Sequence, residues 1–383
     1  MKTGRAKGEG ATPSQLCDHV DCDEIGPERI FHYYNAAVGL RAVLVIDVAS
    51  FGVSAGGVRA APDLSVREIA RLARAMSYKF TLLDLPCGGA KAGIWLAPRD
   101  PARHAIVAAF LEAIRPLTAA HAYLPGADLG TSAEDFAGLE AEAGAIHRMG
   151  RESADGLPLE EQLTGFGVVV AAKTACQLSG RSLVGSSVAI EGFGKVGAGA
   201  ARFFRREGAR VVAVSTIHGA IFDPAGLDVD ELLEMRRKVG DALVNEHPRA
   251  QHLSREALFE LPVDVLVPGA RPDVINDKNV KKIRAGLIVP AANIPYANDA
   301  PRQLHDRGVT ALPDFVTNTG GVLSGAAALQ NLAAAESFAL VEQKIDSLVR
   351  AVFSAGSHGG GPYEAAAALA RERLREATQQ GGR

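Results

Sequence analysis

Two lysines and one aspartate in the N-terminal part of the chain have the residue types needed for acid–base chemistry. Lys79 ends the segment Met-Ser-Tyr-Lys, Lys91 follows twelve residues later among glycines, and Asp128 lies between Pro125 and Gly130. A lysine can act as a base near neutral pH only if burial or a neighbouring cation keeps its amine uncharged. Each residue also has a structural alternative: a helix-edge side chain for Lys79, a solvated loop charge for Lys91 and a turn former for Asp128.

A glycine-rich segment further along the chain indicates a dinucleotide site. The GxGxxG pattern directly follows a predicted strand, Ser187–Glu191, and opens a predicted helix, Lys195–Glu207. In this setting the first glycine makes a tight turn, the second admits the pyrophosphate, and the third lets helix and sheet pack closely. The helix N-terminus then offers unpaired N–H groups to the phosphates. The predicted cofactor-binding residues are Gly192, Phe193, Gly194, Lys195, Val196 and Gly197, and the alternative is a structural glycine-rich turn.

The choice between NAD and NADP stays open. An acid that binds the ribose of NAD usually ends the second strand, about 20 residues after the first glycine. Here that strand is followed by Ser215 and Thr216, and no Asp or Glu occurs between Glu207 and Asp223. Ser215 and Thr216 are predicted to lie beside the cofactor, where hydroxyls tolerate a 2′-phosphate, although Thr216 is equally a turn residue.

The elements that must position these residues predict an α/β fold. Arg41–Ser50 is typical of a strand, Ser65 to Glu68 of a capping box that begins a helix, and residues 102–114 of a second helix. From about Leu163, strands alternate with helices, with further apolar runs at 263–267, 287–289 and 309–312, which favours a doubly wound parallel sheet. The prediction is an N-terminal α/β substrate and oligomerisation domain followed by a Rossmann-like dinucleotide-binding domain. The predicted boundaries are a flexible lead-in at 1–27, a substrate and catalytic domain at 28–160, the dinucleotide-binding domain at 161–331, and C-terminal helices at 332–383 that pack back across the cleft.

Composition excludes several classes of protein. The formal net charge of the 383 residues is −3, which is not the basic footprint of a nucleic-acid binder. No secretory signal is recognisable, and no apolar run approaches the roughly 18–20 residues that span a bilayer, so a cytoplasmic protein without a membrane partner is expected. The four cysteines, Cys17, Cys22, Cys87 and Cys176, do not form a CxxC motif. The segment from Cys17 to Cys22 matches no zinc spacing, and no metal is predicted.

An ordered set of motifs resembles a known family. The motifs are MSYK, PCGGAKAG, PGADLG, LTGFGV, EGFGKVG, VPAAN and PDFVTNTGGV. Their order and spacing resemble the glutamate/leucine/phenylalanine/valine dehydrogenases from about Val43 to Asn331. The resemblance implies reversible NAD(P)-dependent oxidative deamination of an L-amino acid to a 2-oxo acid and ammonia, by a homo-oligomer.

The resemblance also implies roles for individual residues. Lys79 matches the lysine that holds the substrate α-carboxylate, Lys91 the catalytic lysine and Asp128 its proton-shuttling partner. Three further positions match polar groups that orient the nicotinamide amide and the substrate ends: Thr164, Asn293 and Asn318.

Two departures from the glutamate-specific pattern predict an apolar or bulky substrate side chain. Ala55 stands before Gly56 and Gly57, where glutamate-specific members carry a lysine for the side-chain carboxylate. A buried carboxylate without a partner is costly. Gly325 replaces a serine three residues after Val322 and leaves room for a large side chain. The predicted substrate-binding residues are therefore Lys79, Ala55, Gly56, Gly57, Asn318, Val322 and Gly325.

Other departures and other functions remain open. Ala92 replaces a common glycine, Arg271-Pro272-Asp273 stands where Leu-Glu-Asn is frequent, and Pro290 replaces a usual glutamate. A glutamate dehydrogenase that holds the γ-carboxylate through Arg59 is one alternative, although a surface or structural arginine is preferred there. A non-catalytic cofactor-binding relative is another. A hydroxy-acid dehydrogenase is a third, but the His–acid pair on which those enzymes usually rely is not found around the glycine-rich motif.

Overall fold

The computed structural model describes residues 20–139, 159–356 and 359–381. Its N-terminal lobe is built on a five-stranded mixed sheet with the order β1-β2-β4-β3-β5. The strands are β1 (Arg29–Asn35), β2 (Leu40–Ile46), β3 (Ser54–Ala61), β4 (Gly88–Trp95) and β5 (Tyr123–Ala127). β3 pairs in parallel with β4 and β5, whereas β1 and β2 are antiparallel.

Both faces of this sheet are covered by helices, α1 (Val66–Leu82) and α2 (Arg103–Ala119). On β2, Val43 and Val45 share a core with Ile69 of α1. The intervening Leu44 and Ile46 belong to a second core that contains α2. The continuous apolar run predicted as a strand is therefore buried on both sides, although β2 is shorter than predicted.

The predicted start of α1 is confirmed, but the capping box is only half formed. Ser65 Oγ accepts the N–H of Glu68 at 3.1 Å. The Glu68 carboxylate does not return to Ser65, because it accepts a hydrogen bond from Arg59 at 2.8 Å. α1 continues to Leu82, so Lys79 lies in its last turn and is only 4 % exposed, which makes the helix-edge alternative wrong.

Lys91 lies in the middle of the buried strand β4, so the solvated-loop alternative is also wrong. β4 approaches α1 very closely at Gly89, where a Cβ would lie 2.2 Å from the Ala73 carbonyl oxygen and from the Ser77 nitrogen. This close packing brings the strand that carries Lys91 against the helix that carries Lys79.

The C-terminal lobe contains a seven-stranded sheet with the order β12-β11-β10-β6-β7-β8-β9. Its strands are β6 (Ser187–Glu191), β7 (Arg210–Thr216), β8 (Gly219–Phe222), β9 (Gln251–Leu253), β10 (Val265–Pro268), β11 (Leu287–Ile288) and β12 (Thr310–Ala311). The strands from β12 to β7 are parallel, which confirms the predicted doubly wound arrangement. The sequence did not predict the antiparallel edge strands β8 and β9. The switch in strand order lies between β6 and β10, where open α/β sheets bind ligands.

Helices complete this lobe and reconnect it to the first. They are α3 (Leu159–Leu178), α4 (Lys195–Arg206), α5 (Val229–Val239), α6 (Leu243–Glu246), α7 (Arg255–Leu258), α8 (Ala300–Asp306), α9 (Asp314–Thr317), α10 (Gly320–Leu329), α11 (Ala334–Gly356) and α12 (Gly361–Gly381). Short 3₁₀ helices lie at Ala133–Leu139, Gly240–Ala242 and Val280–Lys282. α12 contacts α1, since Arg371 Nε donates to the Tyr78 hydroxyl at 3.0 Å. No helix in the described part of the chain is long and apolar enough to cross a membrane.

The described end of the predicted lead-in is held against α1. Arg74 donates to both carboxylate oxygens of Asp23 at 2.7 and 2.8 Å, and to the Gly26 carbonyl at 3.1 Å. An ion pair and a backbone contact therefore join Asp23–Gly26 to α1, while the flexibility of the lead-in stays a prediction. Residues 1–19, with Cys17, lie outside the described residues, and so do residues 140–158, beside the predicted domain boundary.

Candidate active site

Lys91, Asp128 and Arg59 form a buried charged cluster in the N-terminal lobe. Asp128 Oδ2 lies 2.8 Å from Lys91 Nζ and 3.1 Å from Arg59 Nε. Arg59 also donates to Glu68 at 2.8 Å, so two of its nitrogens are engaged in ion pairs. Asp128 is placed by its loop: its N–H donates to the Thr131 hydroxyl at 2.9 Å, and that hydroxyl donates to the Val58 carbonyl. Thr131 therefore braces the loop that carries Asp128.

The cluster favours an ionised aspartate beside a lysine that can lose its proton. Burial lowers the pKa of Lys91, Asp128 opposes that shift, and the charge of Arg59 adds to it. Burial alone would raise the pKa of Asp128, but Lys91 and Arg59 outweigh it and hold that pKa below its ordinary value. An amine with a depressed pKa next to a carboxylate is suited to exchanging protons with a bound ligand.

The glycines of β3 keep the space beside Lys91 open. A Cβ on Gly57 would lie 2.9 Å from Asp128 Cβ and 3.2 Å from Lys91 Nζ. A Cβ on Gly56 would lie only 1.6 Å from the Ala90 carbonyl oxygen, so β3 and β4 require glycine there. Ala55 precedes them on the same strand and is half-buried.

Lys79 meets the C-terminal lobe through two asparagines. Its Nζ donates to Asn293 Oδ1 at 2.6 Å, and Asn318 Nδ2 donates to the same oxygen at 3.0 Å. Burial lowers the pKa of Lys79 to about 8, with Asp314 opposing the shift and Lys91 adding to it. Asn318 Oδ1 is buried and has no hydrogen-bond partner among the described residues, so it can accept an N–H from a ligand.

The glycine-rich turn has the geometry that a pyrophosphate requires. Gly192 has a φ of +88°, and a Cβ on Gly197 would lie 2.0 Å from the Gly192 carbonyl oxygen. A Cβ on Gly194 would meet no atom within 4 Å, which leaves open space at the start of α4. No side chain caps that helix N-terminus, so its N–H groups face the open space. These residues fit a dinucleotide.

The side chains of several predicted cofactor residues form contacts within the protein. The side chain of Phe193 is buried in the core, and Val196 packs against that core. Lys195 is exposed and pairs with Glu161 at 2.8 Å. The hydroxyls of two further residues do not face open space: Ser215 Oγ accepts the Gly192 N–H at 3.1 Å, and Thr216 Oγ1 donates to the Asp241 carbonyl at 2.7 Å. These hydroxyls therefore brace the turn and the end of β7, and the place of Ser215 and Thr216 beside the cofactor stays a prediction.

The remaining predicted residues lie where α3 and α10 meet. Thr164 on α3 donates to the Glu160 carbonyl at 2.9 Å. A Cβ on Gly321 of α10 would lie 3.2 Å from Thr164 Oγ1. Val322 and Gly325, also on α10, are half-buried.

Two residues of the segment 271–273, which differs from the family's usual Leu-Glu-Asn, form ion pairs between the two lobes. Asp273 accepts from both terminal nitrogens of Arg71 on α1 at 2.7 Å. Arg271 lies 2.5 Å from Asp63, just beyond β3. The other departures are internal: Ala92 is buried in β4, and the Pro290 carbonyl accepts the Thr317 hydroxyl at 2.5 Å.

Sequence reasoning missed two buried charged residues of the site. The preferred structural interpretation of Arg59 did not include its contact with Asp128, although a strand period of two places it on the same face as Gly57. Asp314 is 1 % exposed, accepts the Ile294 N–H at 2.8 Å and interacts with the charge of Lys79. Asp314 lies inside the motif PDFVTNTGGV, and its position there gave no signal of burial.

Family models match both lobes. Residues 34–143 match the Glu/Leu/Phe/Val dehydrogenase dimerisation domain, and residues 156–382 match the Glutamate/Leucine/Phenylalanine/Valine dehydrogenase model. The chain belongs to the glutamate/leucine/phenylalanine/valine dehydrogenase family. This confirms the resemblance seen in the motifs. As a member, the protein is an amino-acid dehydrogenase, an oxidoreductase that acts on CH–NH₂ donors with NAD or NADP.

Relatives within the family include glutamate dehydrogenases. The chain is 33% identical over 286 residues to the glutamate dehydrogenase of Aeropyrum pernix, covering 72% of this chain and 68% of the relative. It is 32% identical over 282 residues to the NAD-specific glutamate dehydrogenase of Staphylococcus aureus, covering 71% and 67%. The leucine-bound hetero-hexameric glutamate dehydrogenase of Thermus thermophilus superimposes with a TM-score of 0.80 at 28% identity, covering 92% and 90%.

Proposed function

We propose that the protein oxidatively deaminates an L-amino acid with an apolar or bulky side chain, reversibly, to the 2-oxo acid and ammonia. The observation that carries this proposal is the buried Lys91 amine, 2.8 Å from the Asp128 carboxylate and facing the space that Gly57 leaves open. This arrangement supplies a base and a proton carrier at one point of the cleft between the lobes.

Lys79, Lys91 and Asp128 each have a separate role in the proposed reaction. A bound dinucleotide would supply the acceptor for the hydride of the substrate α-carbon. Lys79, in its charged form, binds the α-carboxylate. The neutral Lys91 accepts a proton from the water that attacks the substrate iminium, and Asp128 carries protons to the departing amine.

The cofactor is held by backbone more than by side chains. The turn from Gly192 to Gly197 and the N-terminus of α4 take the pyrophosphate. Asn318 Oδ1, which has no partner among the described residues, would help to hold the nicotinamide amide by accepting an N–H. Thr164 on α3 and Asn293 after β11 both lie in the C-terminal lobe, where they would orient the nicotinamide ring and the substrate.

The side-chain pocket supports an uncharged substrate. Ala55 cannot pair with a carboxylate, and Val322 and Gly325 offer only apolar surface and space. Arg59 is committed to Asp128 and Glu68, which argues against a role in binding a γ-carboxylate. The second candidate is glutamate deamination through altered contacts, and the glutamate dehydrogenases among the relatives favour it.

We also propose a homo-oligomer assembled through the N-terminal lobe. That lobe matches the family's dimerisation domain, and the Thermus thermophilus relative is a hetero-hexamer.

A spectrophotometric screen of common amino acids against NAD and NADP tests the proposal. We expect leucine, valine, phenylalanine or tryptophan to give a higher kcat/KM than glutamate, and the opposite order would contradict the side-chain preference.

Lys91→Ala should lower kcat by about a thousandfold. If this variant still binds the reduced cofactor, followed by fluorescence, the protein is an enzyme rather than a binding module. Undiminished turnover in Lys91→Ala would contradict the mechanism.

A further inference from the structure

The first turn of α3 carries an acidic side chain that the mechanism does not use. Glu160 and Glu161 are adjacent there, and Glu161 pairs with Lys195 at 2.8 Å. Within the part of the chain that the structure describes, Glu160 forms no ion pair, although it is half-buried. A partly desolvated carboxylate without a counter-ion costs folding free energy. Glu161 also places a negative charge at this helix N-terminus, where such a charge is favourable.

Glu160 lies at the junction of α3 and α10. A Cβ on Gly321 would lie 3.8 Å from Glu160 Oε1, and Gly321 directly precedes Val322. Burial and the charge of Glu161 raise the pKa of Glu160 to about 7, Lys195 opposes the shift, and Asp128 adds to it. The carboxyl group is therefore close enough to the charged cluster of the cleft to interact with it.

We propose that Glu160 is a specificity-determining residue that selects against amino acids whose side chain ends in a carboxylate. This inference rests on the proposed deamination reaction and on the assignment of Val322 and Gly325 to the side-chain pocket. A substrate side chain that follows these α10 residues directs its end toward Gly321, and hence toward Glu160. An anionic end would meet a like charge there, whereas a methyl end would not.

The proposed discrimination against an anionic side chain depends on pH, because Glu160 must be ionised to repel it. The charged groups that act on Glu160 are Glu161 on its own helix, Lys195 on α4 and Asp128 after β5, and the residue of α10 beside its carboxylate, Gly321, carries no charge. With a pKa of about 7, Glu160 is mostly neutral under mildly acidic conditions and mostly ionised under mildly alkaline ones. Discrimination against an anionic side chain therefore grows as the pH rises through neutrality.

The test compares two substrates that differ only at the end of the side chain. L-Glutamate ends in a carboxylate where L-norvaline ends in a methyl group, and the measured quantity is the ratio of their kcat/KM values. We expect Glu160→Gln to raise the glutamate-to-norvaline ratio about tenfold or more under mildly alkaline conditions, from the loss of one like charge a few ångströms away. Under mildly acidic conditions the wild-type ratio should approach that of the variant.

Two further variants separate charge from structure. Glu160→Asp keeps the charge and should keep the low ratio. Glu161→Gln removes the neighbouring carboxylate, which faces Lys195, and should leave the ratio unchanged under mildly alkaline conditions, where Glu160 is ionised with or without it. Because Glu161 raises the pKa of Glu160, the pH dependence of the ratio should move to lower pH in this variant. An identical ratio in wild type and Glu160→Gln at alkaline pH would overturn the role of Glu160. A wild-type preference for glutamate over norvaline would instead contradict the apolar preference under the proposed function, so the two failures are distinguishable.

Discussion

At the scale of single residues, Arg59 competes with Lys91 for the negative charge of Asp128 and so affects the pKa of the lysine. Lys91 and Arg59 both contact Asp128 Oδ2, at 2.8 and 3.1 Å. An aspartate paired with Lys91 alone would stabilise the charged amine and make it a poor base. Arg59 keeps its charge at any pH relevant to the enzyme, so it neutralises Asp128 whether or not Lys91 is protonated. Arg59 is therefore a positioning residue for the base and is distinct from the groups that touch substrate.

Arg59→Met tests this function through the pH profile. Because the charge of Arg59 lowers the pKa of Lys91, its removal should raise that pKa. The neutral amine is the active form, so the rising limb of kcat should move to higher pH. A displacement of one pH unit lowers kcat near neutrality about tenfold, with recovery in alkaline buffer.

The matched control for this substitution is Arg103→Met. Arg103 donates to both carboxylate oxygens of Asp135 at 2.7 and 2.8 Å and to the Gly130 carbonyl at 2.8 Å, and its charge is not among the main influences on the pKa of Lys91. This variant should leave the pH profile in place. Arg59→Lys should restore part of the shift. A loss of activity in Arg59→Met that is equal at every pH would argue for a purely structural arginine.

At the scale of elements, local patterns predicted the dinucleotide unit well and the N-terminal sheet poorly. The predicted strand Ser187–Glu191 coincides with β6, and the predicted helix from Lys195 ends one residue early, at Arg206. These elements follow one another in sequence, so their turn and capping signals lie side by side. In contrast, β3 and β4 are rich in glycine and alanine and show no alternating pattern. Their partners are separated from them by α1 and α2, and single-sequence reasoning does not see such long-range pairing.

The same limits apply to the site. Lys79, Lys91 and Asp128 were recognised from their motifs, and the structure places all three at the cleft. The contact of Arg59 with Asp128 depends on the pairing of β3 with β5, and no local signal reports it. The side-chain directions of Ser215 and Thr216 depend on contacts with Gly192 and Asp241, which are distant in sequence.

Gly89→Ala tests the packing of β4 against α1. A Cβ at this position would lie 2.2 Å from two backbone atoms of α1, so strand and helix would have to separate. We expect the free energy of unfolding to fall by about 3 kcal/mol or more. Urea unfolding followed by the fluorescence of Trp95, the only tryptophan and the last residue of β4, reports on this lobe directly.

Gly126→Ala provides the comparison within the same sheet. A Cβ on Gly126 of β5 would meet no atom within 4 Å, and its φ lies outside the left-handed region. Its unfolding free energy should stay within about 0.5 kcal/mol of the wild-type value. Equal stability of the two variants would show that β4 and α1 leave more space for a Cβ at position 89 than the distances of 2.2 Å indicate.

At the scale of the whole molecule, the two lobes are joined by polar contacts around the cleft. Arg71 on α1 donates to Asp273 and to the Tyr296 carbonyl, and Lys79 donates to Asn293. The residues at 271 and 273, which depart from the family pattern, supply two of the ion pairs across the cleft. Exposed ion pairs contribute little to stability individually. Across a cleft, however, they exist only when the lobes are closed, so even a small free energy changes the closed population.

Arg71→Met should therefore weaken closure without unfolding the enzyme. The loss of about 1 kcal/mol of closure free energy lowers kcat/KM about fivefold if substrate is committed to reaction only in the closed state. High salt screens the same ion pair, so kcat/KM of the wild type should fall with salt more steeply than that of the variant. The control is Arg67→Met, one turn earlier on α1, because Arg67 pairs with Asp21 at 3.1 Å within the N-terminal lobe. If Arg67→Met and Arg71→Met changed kcat/KM and its salt dependence alike, the effect would come from the charge of α1 rather than from a contact across the cleft.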